Sequence, residues 1–292
     1  MHHGTLTKPL TEHLHEFKTQ GFTIFPGILD VAWAREMRDR HAEFTRRTPA
    51  LGDTGRIAFV DILELEPQLT LPAITIPAVL DFAEMIIGPY VQLESITYTG
   101  FPPLGKEYKG LPGGWHRDMF ASFPQEGVYQ RPMLFNAIAY LDGLTDDNGP
   151  LRIIPGSHMR ALRVAEGAAQ EPSQEEILVY PQPGDLVMFH CSLLHSGTAN
   201  ASDDIRYFFC ITYNHAWLKY RANYNGPNCQ AIIEDARQRN DRRLLRLLGV
   251  DDKLFRRANS GYTIPDEEKW VQWCAEDRAA VATESCQSEK LF

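Results

Sequence analysis

His116 and Asp118, one residue apart, are joined much later in the chain by His195 and then Arg206. Two imidazoles and one carboxylate can hold Fe(II) by one face and leave the opposite face open to small ligands, an arrangement suited to dioxygen chemistry. In an extended strand, residues i and i+2 point to the same side, so His116 and Asp118 can grip one metal while Arg117 points away. The chain has ten histidines, so rival assignments must be weighed. His190 lies just before His195 and His158 ends a Pro-Gly-Ser-His turn; both read as hydrogen-bonded structural histidines, not ligands.

The elements that must position these groups change character along the chain. The front third is mixed: helical over 11–20, a short apolar strand over 21–27, helical over 31–47, proline-broken and expected as loop over 63–71, and helical again over 78–87, with Leu80, Phe82 and Ile86 as core contacts. From residue 91 the texture turns to short apolar runs cut by Gly, Pro, Asn and Asp, with strands expected at 93–99, 134–140, 151–154, 185–190 and 206–213. Many short strands with turn signals point to a sandwich or jelly roll. Residues 159–182 read as a long insertion between strands, of the kind that serves as a lid or binding loop. Beyond 217 the pattern is helical over 230–248 and 265–282. The expected organisation is one domain over 1–292: a helix and strand portion to 90, a β core over 91–216 and a helical extension over 217–292.

The formal net charge of −9 argues against nucleic acid or an anionic membrane as a general partner. One basic run, 237–246, is interleaved with leucines and reads as an amphipathic helix with a solvated face. Five cysteines without a close pair suggest reduced thiols in a cytoplasmic protein. Neither a secretory h-region nor an apolar run of membrane-spanning length is visible.

The ordered motifs closely resemble the phytanoyl-CoA dioxygenase family of Fe(II)- and 2-oxoglutarate-dependent oxygenases. They are Gly21-Phe22 with Phe25-Pro26-Gly27, Trp115-His116-Arg117-Asp118, Asn148-Gly149-Pro150-Leu151, Ile154-Pro155-Gly156-Ser157-His158, Gly184-Asp185, and His195-Ser196-Gly197-Thr198-Ala199-Asn200 followed by Arg206. Any one is weak; the ordered set is strong. The resemblance implies a mostly β fold with flanking helices built on a double-stranded β-helix, or jelly roll. It also implies His116, Asp118 and His195 as iron ligands, Arg206 as partner of the distal carboxylate of 2-oxoglutarate, and dioxygen as second co-substrate. Arginine's planar fork suits that carboxylate better than lysine's point charge would. Asn136, a lone polar residue in an apolar strand, and Thr198 are further candidates to contact the co-substrate. In halogenating relatives of the wider group the carboxylate ligand is replaced by a small residue, so Asp118 favours hydroxylation, desaturation or ring closure.

Substrate contacts are expected from Tyr98, Lys106, Met119, Phe120, Trp217 and Tyr224. The expected substrate is a small molecule, preferably a specialised metabolite, handled by a monomer or homodimer. The competing reading is a metal-binding β-helix protein with a binding, regulatory or cofactor-independent role, for which Arg206 would have no necessary partner.

Overall fold

A computed structural model describes residues 4–47, 57–118, 122–164, 168–251, 257 and 259–288. In chain order the elements are α1 (Leu10–Gln20), β1 (Phe22–Phe25), α2 (Val31–Arg47), β2 (Ile57–Phe59), α3 (Ile62–Leu65), α4 (Pro67–Ile74), α5 (Pro77–Ile87) and β3 (Val91–Phe101). They continue with β4 (Leu134–Tyr140), β5 (Leu151–Ile153), β6 (Ile177–Val179), β7 (Leu186–His190), β8 (His195–Gly197), β9 (Arg206–His215), α6 (Pro227–Gln238), α7 (Arg242–Leu247) and α8 (Asp266–Ser288). The chain divides into two compact units, residues 1–60 with 96–212, and residues 61–95 with 213–292; the divisions fall between β2 and α3 and inside β3 and β9.

The first unit is a jelly roll. A six-stranded sheet runs β1-β7-β4-β9-β3-β2 and a three-stranded sheet runs β6-β5-β8. β4 lies between β7 and β9 and is buried at every residue, which explains its unbroken apolar run from Leu134 to Tyr140 around the single Asn136. β1 alternates half-buried and buried residues and pairs antiparallel with β7, Phe22 opposite Phe189 and Ile24 opposite Val187. Helix α1 delivers the chain to β1 through Gly21, whose φ of 85° lets its N–H return to the Phe17 carbonyl, a left-handed cap that side-chain-bearing residues rarely adopt. The core sits where both sheets contribute: Ile138, Tyr140, Val187 and Phe189 from the larger, Leu151, Ile153 and Val179 from the smaller.

Three expectations change. The proline-bearing stretch over 63–71 is helical, as α3 and α4. Pro67 occupies the first turn, where its missing N–H costs no hydrogen bond, and burial of Ile62, Leu63, Ala73 and Ile74 outweighs the poor local propensity. The insertion over 159–182 ends in a strand, since Ile177–Val179 pairs antiparallel with β5. The third change concerns the basic run over 237–246. Arg237 and Arg239 are solvated, but Arg246 is 1% exposed and faces Asp251 and Asp277. The predicted single helix over 230–248 is also two, split where Asn240 turns to φ 52° and Asp241 caps α7 by accepting from the Leu244 N–H.

In the second unit α5 buries Leu80, Phe82 and Ile86, and Tyr90, Trp270 and Trp273 form an aromatic cluster. Glu64 of α3 caps α6, accepting from the Asn228 and Cys229 N–H groups. Among the described residues no single helix is long and apolar enough to cross a membrane; only the bent pair Pro67–Ile74 and Pro77–Tyr90 reaches that length together.

Candidate metal centre

His116 and His195 are brought together by strand pairing. Their backbones exchange both N–H···O bonds at 3.1 Å, so they sit directly opposite each other on two antiparallel segments, with ring centroids 4.3 Å apart. Asp118, two residues on, points to the same side, and its Oδ1 lies 4.0 Å from His116 Nε2 and 3.8 Å from His195 Nε2. The three donor atoms lie within 4.8 Å of one another, a spacing one metal ion can bridge. Among the described residues no other His, Cys, Asp and Glu group meets that test.

The second polar atom of each candidate ligand is already committed. His116 Nδ1 bonds the Gly114 carbonyl at 2.8 Å and His195 Nδ1 bonds the Leu193 carbonyl at 3.0 Å; a carbonyl can only accept, so each Nδ1 carries the proton and each Nε2 offers its lone pair. Burial, opposed by the pull of Asp118, lowers the pKa of His195 and favours the neutral ring a metal needs. Asp118 Oδ2 accepts from Asn136 Nδ2 at 2.7 Å, and Asn136 Oδ1 accepts from Thr212 Oγ1 at 2.6 Å. Asn136 therefore orients the Asp118 carboxylate, a contact different from the one its sequence position suggested. Arg117 does point away: its guanidinium donates to the carbonyls of Ser157, Ser192 and Leu162.

His190 and His158 are structural. His190 bonds the Gln130 carbonyl through Nε2 and accepts the Ser192 N–H at Nδ1, while His158 Nε2 bonds the Lys18 carbonyl.

A cavity of about 560 Å³ is lined by the three candidate ligands together with Phe101, Leu104, Asn136, Thr198 and Arg206. Arg206 is 6% exposed, and its Nη1 donates to three carbonyls, Asn148, Gly149 and Thr198, at 2.8 to 2.9 Å. Gly149 must be glycine here: its φ is 91°, and an added Cβ would meet Arg206 Nη1 at 2.8 Å and the Thr198 oxygen at 2.6 Å. That is the physical content of the Asn148-Gly149 motif. Arg206 Nε is buried without a partner, and among the described residues no carboxylate pairs with this cation. A buried guanidinium that lacks its anion is suited to receive one from a ligand. The donor set and this arginine fit a metal ion and a chelating acid with a remote carboxylate.

The remaining candidates are dispersed. Tyr98 is fully buried, its ring edge-on to Phe209 and its hydroxyl against Met37, so it is a core residue and not a substrate contact. Lys106 is exposed in a short turn of helix and does not line the cavity; Phe101, Pro102 and Leu104 from the same loop do. Met119 and Phe120 lie outside the described residues. Trp217 and Tyr224 belong to the second unit, where Trp217 is 74% exposed beside His215 and Tyr224 is buried with its hydroxyl on the Leu93 carbonyl.

Residues 96–208, which include all three candidate ligands and Arg206, match the family Phytanoyl-CoA dioxygenase (PhyH). Over 168 residues the chain is 28% identical to the L-proline trans-4-hydroxylase of Streptomyces griseoviridis, an alignment that covers 48% of this chain and 61% of that protein. The match thus spans less than two thirds of that relative's length. Among solved structures, it resembles the non-heme alpha ketoglutarate dependent epimerase SnoN from nogalamycin biosynthesis, with a TM-score of 0.55 and 21% identity over 71% of this chain and 81% of that one. It also resembles HygX from Streptomyces hygroscopicus with nickel and 2-oxoglutarate bound, with a TM-score of 0.58 and 15% identity over 72% and 88%. At such identities the likeness establishes a common fold. Through residues 96–208, which carry both the motifs and the candidate metal geometry, this chain is similar to the phytanoyl-CoA dioxygenase family.

Proposed function

We propose that this protein is a non-haem Fe(II)- and 2-oxoglutarate-dependent dioxygenase that oxidises an unactivated C–H bond of a small molecule and releases succinate and CO2. One observation carries the reading: a two-histidine, one-carboxylate donor set and a buried arginine lacking a carboxylate partner line the same cavity. His116, Asp118 and His195 would hold Fe(II), which when bound supplies the site for 2-oxoglutarate chelation and dioxygen activation. Arg206 anchors the far carboxylate of the co-substrate. Asn136 keeps Asp118 Oδ2 occupied, so that Oδ1 is the oxygen presented beside the two imidazoles.

The cavity volume is in the range of small-molecule sites. Phe101, Pro102, Leu104 and Phe208 give it apolar walls, which suit a substrate with a hydrophobic portion; a specialised metabolite is the class we favour. Whether the oxidised carbon is hydroxylated or loses a second hydrogen depends on how it is held relative to the metal. The test is succinate release from 2-oxoglutarate under air, with and without Fe(II). Iron-dependent succinate is expected, and its absence with iron-loaded, folded protein would contradict the assignment.

A further inference from the structure

Tyr140 lines the same cavity as Arg206, and the reaction as described gives it no role. It ends β4, where strand alternation brings Asn136, Ile138 and Tyr140 to the cavity face. The neighbouring β9 runs antiparallel to β4: the Leu141 N–H donates to the Tyr207 carbonyl at 3.1 Å and Asn136 meets Thr212, which sets Tyr140 opposite Phe208 and diagonal to Arg206. The Tyr140 and Phe208 ring centroids are 6.0 Å apart, and Phe208 and Arg206 line the cavity as well. β4 thus crosses the cavity with Asn136 holding Asp118 at one end and Tyr140 beside the arginine at the other.

Other polar side chains around the cavity are already engaged. Asn136 serves Asp118 and Thr212, and the Cys210 thiol donates to the same amide oxygen. Asn200 Nδ2 donates to the Phe101 and Asp204 carbonyls while its oxygen accepts from Ser202. Thr198 turns its hydroxyl to Arg152, on the other face of the small sheet, and gives Arg206 only its carbonyl. The Tyr140 hydroxyl, by contrast, makes no hydrogen bond among the described residues. Though unpartnered it is not sealed off, so part of the 5% of Tyr140 left open lies at that oxygen. Arg206 Nη2 is in the same position, since all three of the guanidinium's bonds among the described residues leave from Nη1. Burial pushes the Tyr140 phenol up to about 12 against the pull of Arg206, so at neutral pH it keeps its proton and is a donor.

A carboxylate offers about four lone-pair positions, more than one arginine edge fills, and in a buried site the remainder need donors of their own. We infer that the Tyr140 hydroxyl donates a further hydrogen bond to the distal carboxylate that Arg206 anchors, which makes Tyr140 a residue that selects a 2-oxo acid with two carboxylates over one with a single carboxylate. This rests on the dioxygenase reading and adds to it a neutral donor beside the cation.

The experiment is anaerobic calorimetric titration of the Fe(II)-loaded protein with 2-oxoglutarate and with 2-oxopentanoate, which carries a methyl group where 2-oxoglutarate has its distal carboxylate. Fe(II) affinity is measured in parallel. If wild type fails to bind 2-oxoglutarate, the dioxygenase reading itself falls; if wild type and Tyr140→Phe bind it equally, only this inference falls. Tyr140→Phe removes one oxygen that no described residue uses, so the fold should persist. It should weaken 2-oxoglutarate about 10-fold, the loss of one hydrogen bond to a charged group, while 2-oxopentanoate and Fe(II) affinities stay within about twofold. An equal loss for both acids, or a parallel loss of Fe(II), is the signature of a packing role and would overturn the assignment. Should 2-oxopentanoate bind too weakly to titrate, Fe(II) affinity separates the two outcomes.

Discussion

Two buried arginines, Arg246 of the second unit and Arg206 of the first, are partnered in opposite ways. In the second unit, Arg246 and Asp277 are almost fully buried and the arginine faces two carboxylates, Asp251 and Asp277, while Asp277 also meets Arg257 and Arg242. Nearby, Glu84 meets Arg243. In the first unit Arg206 is also buried, but its guanidinium donates to carbonyl oxygens and lies over the Phe101 ring with no carboxylate partner among the described residues, and three candidate ligand side chains converge with their donor atoms facing one another. A paired buried charge contributes to holding a fold, whereas a buried charge without its counter-ion is a place prepared for a ligand. By that criterion the network around Arg246 reads as structural and the cavity around Arg206 as the candidate ligand site.

The comparison breaks most readily at the metal. His195→Ala should abolish Fe(II) binding and iron-dependent turnover, while His190→Ala leaves metal affinity largely intact, as equilibrium dialysis would reveal; the reverse pattern would mean that the wrong histidine has been assigned. In the second unit, Asp277→Ala leaves buried arginines without their main partner and should cost on the order of 3–5 kcal/mol in denaturant unfolding, without altering 2-oxoglutarate affinity in the folded fraction. A loss below about 1 kcal/mol would place that network among ion pairs of surface strength. Arg206→Ala should do the converse, weakening 2-oxoglutarate by roughly 30-fold, about 2 kcal/mol, while iron still binds.

Acid separates the units more gently. Burial lowers His41 and His190 of the first unit to about 4, below the ordinary histidine value of 6.5. A depressed histidine contributes stability that is complete above the unfolded value and is lost as pH falls toward the folded one, about 2 kcal/mol per residue by roughly pH 5. Asp277 is held below its ordinary carboxylate value by Arg257 and Arg246 against the opposing effect of burial, so its contribution persists until lower pH. Hydrogen exchange between pH 7 and 5, corrected for the intrinsic rate, should therefore loosen β1 and β7 before α7 and α8. Equal loosening of both would remove the distinction.

What was legible in the sequence was whatever depends on neighbours along the chain. The His116 and Asp118 spacing works because strand alternation is local, and the run from Leu134 to Tyr140 announces a strand whatever surrounds it. The role of Asn136 was hidden because it depends on a contact with Asp118, a residue outside its own strand. Arg246 looked solvated because the acid that buries it, Asp277, belongs to a helix far along the chain. Tyr98 offers a phenol within the strand that precedes the metal motif, and only the packing of Met37 and Phe209 around it reveals a core residue. Pro67 misled because proline is tolerated in a helix's first turn, while Pro72 sits inside α4, where tertiary burial outweighs it.

The central claim is that the three ligands and Arg206 form one site for a metal and a 2-oxo acid. Anaerobic calorimetry with 2-oxoglutarate tests it directly. The account predicts one tight binding event that requires Fe(II) and is lost when His195 is replaced by alanine; 2-oxoglutarate binding of equal strength with and without the metal, or no binding to the iron-loaded protein, would contradict it.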